Sequence, residues 1–252
     1  MSKTKLIRIS SRHRTSGTFS NFQVHLGQDH TRDIQNVRAV SLVSAMISNT
    51  HYNVNINNNS FVYNLTGGGE TTGTLPIGQY TTATLITALQ AVLTDVTITQ
   101  DTLTNKLNFA TTGSATLDFF SEEDRPASTL APVIGLYTSI SLGTTSNTDV
   151  DFVPDLSELD LVNIHTNISH GNCITTDTTR SQSSDIMASI PISSVWGVYN
   201  VFFENSSSSD NSKIIYDSPH SLSHIHIRLT DRDNNDITLQ HDTLITLRIY
   251  YD

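Results

Sequence analysis

The chain has 252 residues, only 15% of them charged, and a formal charge of −10. That length buries a sizeable core, either as one large all-β unit or as a domain with an inserted subdomain. The missing charge is replaced by Thr, Ser and Asn, which suit strands and turns more than helices. Cys173 is the only cysteine, which excludes an intrachain disulfide and a multi-cysteine zinc site. No apolar run reaches the roughly 18 residues of a membrane helix. The opening MSKTKLIRISSRHR has no apolar stretch of signal-peptide length. Folding in a reducing compartment is therefore expected, with the sequons at Asn58, Asn64, Asn167 and Asn205 read as chance matches.

The charge is unevenly spread. Residues 1 to 38 carry Lys3, Lys5, Arg8, Arg12, Arg14, Arg32 and Arg38 against Asp29 and Asp33, a net +5, which leaves −15 on the remainder. A basic strip on an acidic body suits docking to something negative.

In chain order, LIRIS (Leu6 to Ser10) and FQVHL (Phe22 to Leu26) alternate as half-buried strands. VRAVSLVSAMI (Val37 to Ile47) is longer and more apolar, fitting a central strand with a covered outer face. YNVNI (Tyr52 to Ile56) and FVYNL (Phe61 to Leu65) read as strands joined by a turn at Asn57, Asn58 and Asn59, and Gly67 to Gly69 break the pattern. Thr81 to Leu93 places Leu85, Leu89 and Val92 on one helical face with Ile86 and Leu93 beside them, and Thr81 or Thr82 is the expected N-cap. VTITQ and KLNFA form a hairpin with Asp101 to Asn105 at its tip; TLDFF follows, then a short helix expected from Ser128 towards Gly135. From about 157, LDLVNIHTNI, DIMASIPI, VYNVFF, KIIY, SHIHIRLT and TLITLRIYY are strands separated by polar loops. That spacing argues for a sandwich or jelly roll. The fold class is thus mainly β: an antiparallel jelly-roll β-sandwich with a small α/β insertion. Residues 1–30 are read as a basic arm and first strands, 31–59 with 146–252 as the jelly roll, and 60–145 as the insertion.

Candidate chemistry is sparse. Asp231, Asp233, Asn235 and Asp242 take the first, third, fifth and twelfth places of a calcium loop. However, Asp236 stands where the loop needs Gly, and the flanks alternate as strands, so the knot reads as a turn. His224 and His226 share one side of a strand near His220, but nothing fixes a third ligand; His165 and His170 are equally uncommitted. No G-x-S-x-G, H-E-x-x-H, Walker A or G-x-G-x-x-G motif occurs. Cys173 reads as inert core, and Glu122, Glu123 and Asp124 as a helix-preceding acidic run. No catalytic constellation and no cofactor site emerges, which argues against an enzyme.

Several separated segments resemble one family. RISSRHRTSGTFSNFQVHL, with Ser11, Arg12, Arg14, Ser20, Phe22 and Val24, is similar to the opening of minor capsid (penton) proteins of virophages, Polinton-like viruses and nucleocytoplasmic large DNA viruses. VSLVSAMISNTHYNVNINNNSF resembles that family's first long strand and its Asn-Thr-x-Tyr-Asn turn. LPIGQYTTATLITAL is similar to its Gly-x-Tyr-Thr helix start, KLNF and VIGL to later landmarks, and HIHIRLTDRDNNDITL to its final hairpin, with Asp-Asn-Asn-Asp where a Gly is expected. The resemblance spans nearly the whole chain in order. It implies a single jelly roll whose copies form a fivefold ring closing an icosahedral shell, made in a host cell's cytoplasm or virus factory and located in the virion. It also implies a homopentamer with neighbouring major and minor capsid proteins as partners. The basic arm Lys3 to Arg14, with Lys3, Lys5, Arg8, Arg12 and Arg14, is read as the capsid contact reaching a neighbouring capsid protein or the shell's inner face. Deletion of residues 1 to 16 is expected to leave a folded protein with poorer capsid incorporation. Alternatives are a minor capsid role elsewhere in the shell, or a carbohydrate-binding β-sandwich meeting host-surface glycan through Tyr63, Tyr80, Tyr137, Trp196 or Tyr199.

Overall fold

The computed structural model describes residues 3–26, 34–157, 159–168 and 185–204, then 213–252, with backbone alone at 173–174 and 183–184. The chain divides into two compact units, Met1–His51 with Glu158–Asp252, and Tyr52–Ser157.

The first unit is built from β1 (Lys3–Ser10), β2 (Asn21–His25), β3 (Ile34–Ser48), β4 (Leu161–Thr166), β5 (Ile186–Pro191), β6 (Tyr199–Phe203), β7 (Ile214–Leu222), β8 (His224–Thr230) and β9 (Leu244–Tyr251). One antiparallel sheet runs β1-β9-β3, with β6 and β7 both pairing with β3, one at each end. The other runs β5-β4-β8-β2, extended by Ser16–Gly17. Taking β6 and β7 as one strand position, the first strand pairs with the last, the second with the last but one, and so inward. This nested pairing is a folded strip rolled into two facing sheets, the jelly roll.

Period-two alternation turns Ile225, Ile227 and Leu229 of β8, and Ile245, Leu247 and Ile249 of β9, into one buried core with Ile9, Phe22, Leu42, Val162 and Ile164. Strand β3 cannot follow strict alternation. Its register against β9 shifts between Thr246 and Leu247 and again between Tyr250 and Tyr251, and Asn36 near the second shift has φ 57°. Each bulge resets parity, so Ala45, Leu42, Val40 and Val37 all face inward. This is why the segment reads as a nearly continuous apolar run.

The basic start is not a free arm. Lys3 to Ser10 pair residue by residue with Tyr251 to Leu244, and Ile9 is 1% exposed in the core. Deleting this segment removes a sheet strand, which corrects the expectation that residues 1 to 16 are dispensable for folding.

The second unit has its own core. One sheet is formed by Ile140–Leu142, Leu117–Phe119, Ser60–Leu65 and Thr71–Thr74; the other by Asn147–Asp149, Leu107–Thr111 and Val96–Gln100. Helix α1 (Thr82–Val92) starts on Thr81, whose hydroxyl accepts from the Thr84 amide while the Thr84 hydroxyl accepts from the Thr81 amide. Leu85, Leu89 and Leu93 are fully buried, while Val92 is only partly so. Phe61 stacks on Phe119 at 5.3 Å and Phe109 meets Phe119 at 5.6 Å.

Two local expectations are corrected here. Tyr52 to Ile56 makes a single bridge, Val54 to Gly78, and otherwise turns, because the Asn55 and Asn58 side chains bond the nearby backbone and compete with a ladder, while Asn53 ties the segment to the Tyr80 backbone. Ser128 to Gly135 is a run of tight turns rather than a helix. Pro132 lacks an amide hydrogen, and Gly135 sits at φ 82° with the Phe152 backbone against it. The unit runs from Tyr52 to Ser157, beyond the 60 to 145 read from the sequence at both ends.

Candidate assembly surface

Three of the segments that carry the resemblance, the opening, the end of the long strand and the final hairpin, meet at one rim of the sandwich, while LPIGQYTTATLITAL, KLNF and VIGL lie in the second unit. The Ser11 hydroxyl accepts from the Thr243 amide at 2.8 Å, and the Ser11 amide donates to the Thr243 carbonyl at 2.9 Å. The buried Ser20 hydroxyl donates to the Ile237 carbonyl at 2.6 Å. Thr50 Oγ1 accepts from the Gln240 amide at 2.9 Å, and His51 Nδ1 from the Thr238 amide at 3.1 Å. Arg14 lies over Phe19 and donates to the Ser11 and Gly17 carbonyls, both at 2.8 Å. These residues hold loops together, so Ser11, Arg14, Ser20 and Phe22 act structurally.

Outside the core, the β1-β9-β3-β6 sheet presents a different composition. Register places Val201 beside Met46 and then Leu244, Phe203 beside Ser44 and then Thr246, and Ile215 beside Ala39 and then Tyr250. These side chains alternate with the buried set and therefore face outward. Val201, Phe203 and Ile215 are 50%, 71% and 68% exposed, and Leu6 on β1 is 60% exposed. Val195, Trp196 and Val198 add exposed apolar surface in the loop before β6. Val201 and Phe203 form one exposed apolar pair on this face, and Ile215 stands apart from them beyond Ser41 and Arg248.

The basic residues fall along the opposite margin of this sheet. Lys3, Lys5 and Arg8 are exposed on β1. Arg12 pairs with Asp242 at 3.3 Å, and Asp242 also accepts from the Tyr199 hydroxyl at 3.1 Å. Burial and that carboxylate push the Tyr199 phenol above its usual range.

The calcium-loop residues serve a turn. Asp231 Oδ1 accepts from the Asp233 and Asn235 amides at 2.9 and 2.8 Å, while Asp242 is held by Arg12 and Tyr199. Asn234, φ 67°, supplies the left-handed residue where a Gly was expected. Among the described residues no three His, Cys, Asp or Glu side chains come together as a metal site. His220 stacks on Tyr216 at 4.6 Å, His226 meets Asn21 Oδ1 at 2.8 Å, and His224 lies 6.0 Å from His25 ring to ring. His165 is enclosed between Asp185, 2.6 Å from Nδ1, and Thr230, 2.9 Å from Nε2. His170 and the Cys173 side chain lie outside the described residues. Asp124 accepts from the Ser121 and Ser139 hydroxyls, which lower its carboxyl below the usual range. Tyr63 packs on Phe61, the Tyr80 hydroxyl donates to the Pro76 carbonyl, and Tyr137 makes an exposed edge-to-face pair with Phe152 at 5.2 Å.

Val201, Phe203 and Ile215 were not singled out from sequence. The available signal was that Tyr199, Val201, Phe202 and Phe203 are apolar at both parities, which an antiparallel strand with one wet face does not need.

No family model and no curated protein matches the chain. Among solved structures, the selenomethionine-labelled mavirus penton protein is similar over 98% of this chain and 99% of its own, at 10% identity and a TM-score of 0.45.

Proposed function

We propose that this chain is a structural protein of an icosahedral viral capsid, located in the virion, and that it acts as the vertex protein, several copies closing a ring. The observation that carries the reading is the outward pair Val201 and Phe203 on β6, 50% and 71% exposed, with Met46 and Leu244 beside Val201, which leaves large apolar side chains in need of a covering surface. Covering one such side chain is worth about 1.5–3 kcal/mol, enough in combination to hold an assembled contact. The nested strand pairing and the ordered resemblance of segments along the chain support the same reading. Contacts in a ring join two different patches of one protein, and Lys3, Lys5, Arg8 and Arg12 are candidates for the second patch. The test is sedimentation over a concentration series. Wild type is expected to reach a closed assembly of about five 27.7 kDa chains, and Phe203→Asp to remain monomeric with an unchanged far-ultraviolet spectrum. Identical sedimentation of the two proteins would sink the apolar pair as the assembly surface.

A second reading, attachment to host glycan, is favoured by one observation: the exposed Tyr137–Phe152 pair offers an aromatic face of the kind sugars stack on. Binding on a glycan array that disappears with Tyr137→Ala would support it.

A further inference from the structure

Strand β1 is the outermost member of its sheet, pairing only with β9 among the described residues. The Ser11 amide donates to the Thr243 carbonyl at 2.9 Å, and this fixes the phase of the ladder. Alternate residues of an antiparallel pair exchange bonds with the partner. Lys3, Lys5, Ile7 and Ile9 therefore bond inward to β9, while Thr4, Leu6, Arg8 and Ser10 turn their amides and carbonyls to the open side. Proteins usually blunt such an edge with a bulge, a proline or charge. Part of the other margin is closed in that way, since β7 contains Pro219 and loses register between Ile215 and His220, while the short β6 pairs in unbroken register. In β1 the register is unbroken for eight residues and contains no proline.

What β1 carries is the third of these devices, positive charge, which closes the edge to a like-charged strand and leaves it open to an acidic one. Lys3, Lys5 and Arg8 form no ion pair among the described residues. Paired against a second copy of itself, this edge would set cations against cations, which is unfavourable. Against a carboxylate-bearing strand the same charges attract. A cleft of about 340 Å³ bordered by Arg8, Ser10, Arg12, His13, Asp242 and Leu244 opens beside the edge, with Leu244 able to receive an apolar side chain between the cations.

We propose that the open edge of β1 takes up an extended acidic polypeptide segment as an added strand, its main chain pairing with Leu6 and Arg8, its carboxylates meeting Lys3 and Lys5 on one sheet face and Arg8 on the other. This deepens the reading of the basic margin as a contact and rests on that part of it alone. Strand addition draws affinity from main-chain bonds and selectivity from alternate side chains.

The test uses the full chain and a fluorescein-labelled short peptide of Glu-Glu-Val repeats, which presents carboxylates on both faces of an extended strand, followed by anisotropy, with a lysine–valine peptide of the same pattern as control. Leu6→Pro removes an amide that faces only the open side, a position where an edge strand tolerates proline. Arg8→Glu reverses a charge without touching the backbone. Saturable binding of the acidic peptide is expected, weakened about tenfold or more by either variant, since tenfold is about 1.4 kcal/mol and matches the loss of a hydrogen bond or close ion pair. The proposal is overturned if wild type does not bind the acidic peptide, if the lysine–valine peptide binds equally well, or if both variants bind like wild type. Self-association of wild type that Leu6→Pro abolishes would also overturn it, by giving the edge to a second copy. None of these outcomes bears on Phe203→Asp, which probes the other margin of the sheet.

Discussion

Replacing Ile9 by Ala tests whether the basic start belongs to the sandwich. Ile9 is 1% exposed and sits opposite Ile245 on β9. Truncating a buried Ile to Ala costs about 2–5 kcal/mol, and the lower half of that range applies where neighbours can relax into the space, as they can under an edge strand. The expected loss is about 2–3 kcal/mol. Leu6 lies on the same strand but is 60% exposed, so Leu6→Ala is expected within about 0.5 kcal/mol of wild type. Urea titration followed by tryptophan fluorescence reads the right unit, because Trp196 is the sole tryptophan and lies in the first one. With a urea slope of about 2–3 kcal/mol per molar, Ile9→Ala should lower the midpoint by about 1 M at an unchanged slope. A midpoint for Ile9→Ala matching that of Leu6→Ala would show that the segment is a loose arm and refute its placement in the sheet.

In the second unit, a Cβ built on Gly73 would lie 2.6 Å from the Phe61 ring, which is fully buried and stacked on Phe119. Gly73→Ala should therefore cost about 1–3 kcal/mol by overpacking, read as a lowered melting temperature, and a melt unchanged from wild type would contradict that packing. Burial lowers His51 below its usual range, and its Nδ1 accepts from the Thr238 amide, which needs the neutral ring. The unfolded chain therefore takes up this proton first as pH falls below about 6.5, so the contribution is complete above that pH and is lost below it, by at most about 1.4 kcal/mol per pH unit. His51→Asn, which keeps an acceptor, should flatten this part of the midpoint-against-pH curve between about pH 7 and 5; parallel curves for the two proteins would rule His51 out as the source.

The strands were legible wherever one face is buried and the other wet. His224–Thr230 and Leu244–Tyr251 announce themselves by Ile, Leu and polar residues in alternation. The helix was legible through Leu85 and Leu89 and its threonine cap, although the third face residue is Leu93 rather than Val92. Failures came where side chains compete with the backbone or where chain geometry breaks the period. Asn55 and Asn58 bond the backbone locally around Tyr52 to Ile56, Pro132 and Gly135 stop a helix that the apolar pattern alone suggests, and the bulges of β3 hide its alternation. Of the candidate surface, the basic residues were visible as a charge excess. Their arrangement along an edge was not, because edge status depends on which strands pair across more than two hundred residues, as Lys3 does with Tyr251.

The two margins of the β1-β9-β3 sheet differ in kind, and this bears on how copies of the chain can associate. One margin is irregular along β7, carries Pro219 and displays Phe203 and Ile215; the other is regular, carries Lys3 and Lys5 and displays Leu6. A twofold contact brings identical patches together. At β1 that sets lysine against lysine, and at β7 it sets two irregular, proline-bearing edges together with no ladder to share. Neither β1 nor β7 suits itself, and the short β6 is the regular, uncharged stretch of the margin it shares with β7. The charge asymmetry therefore favours a different, acidic chain at β1 and leaves the apolar side chains of β6 for copies of this chain. The Phe203→Asp and Leu6→Pro variants separate these two, because each removes one margin and leaves the other intact.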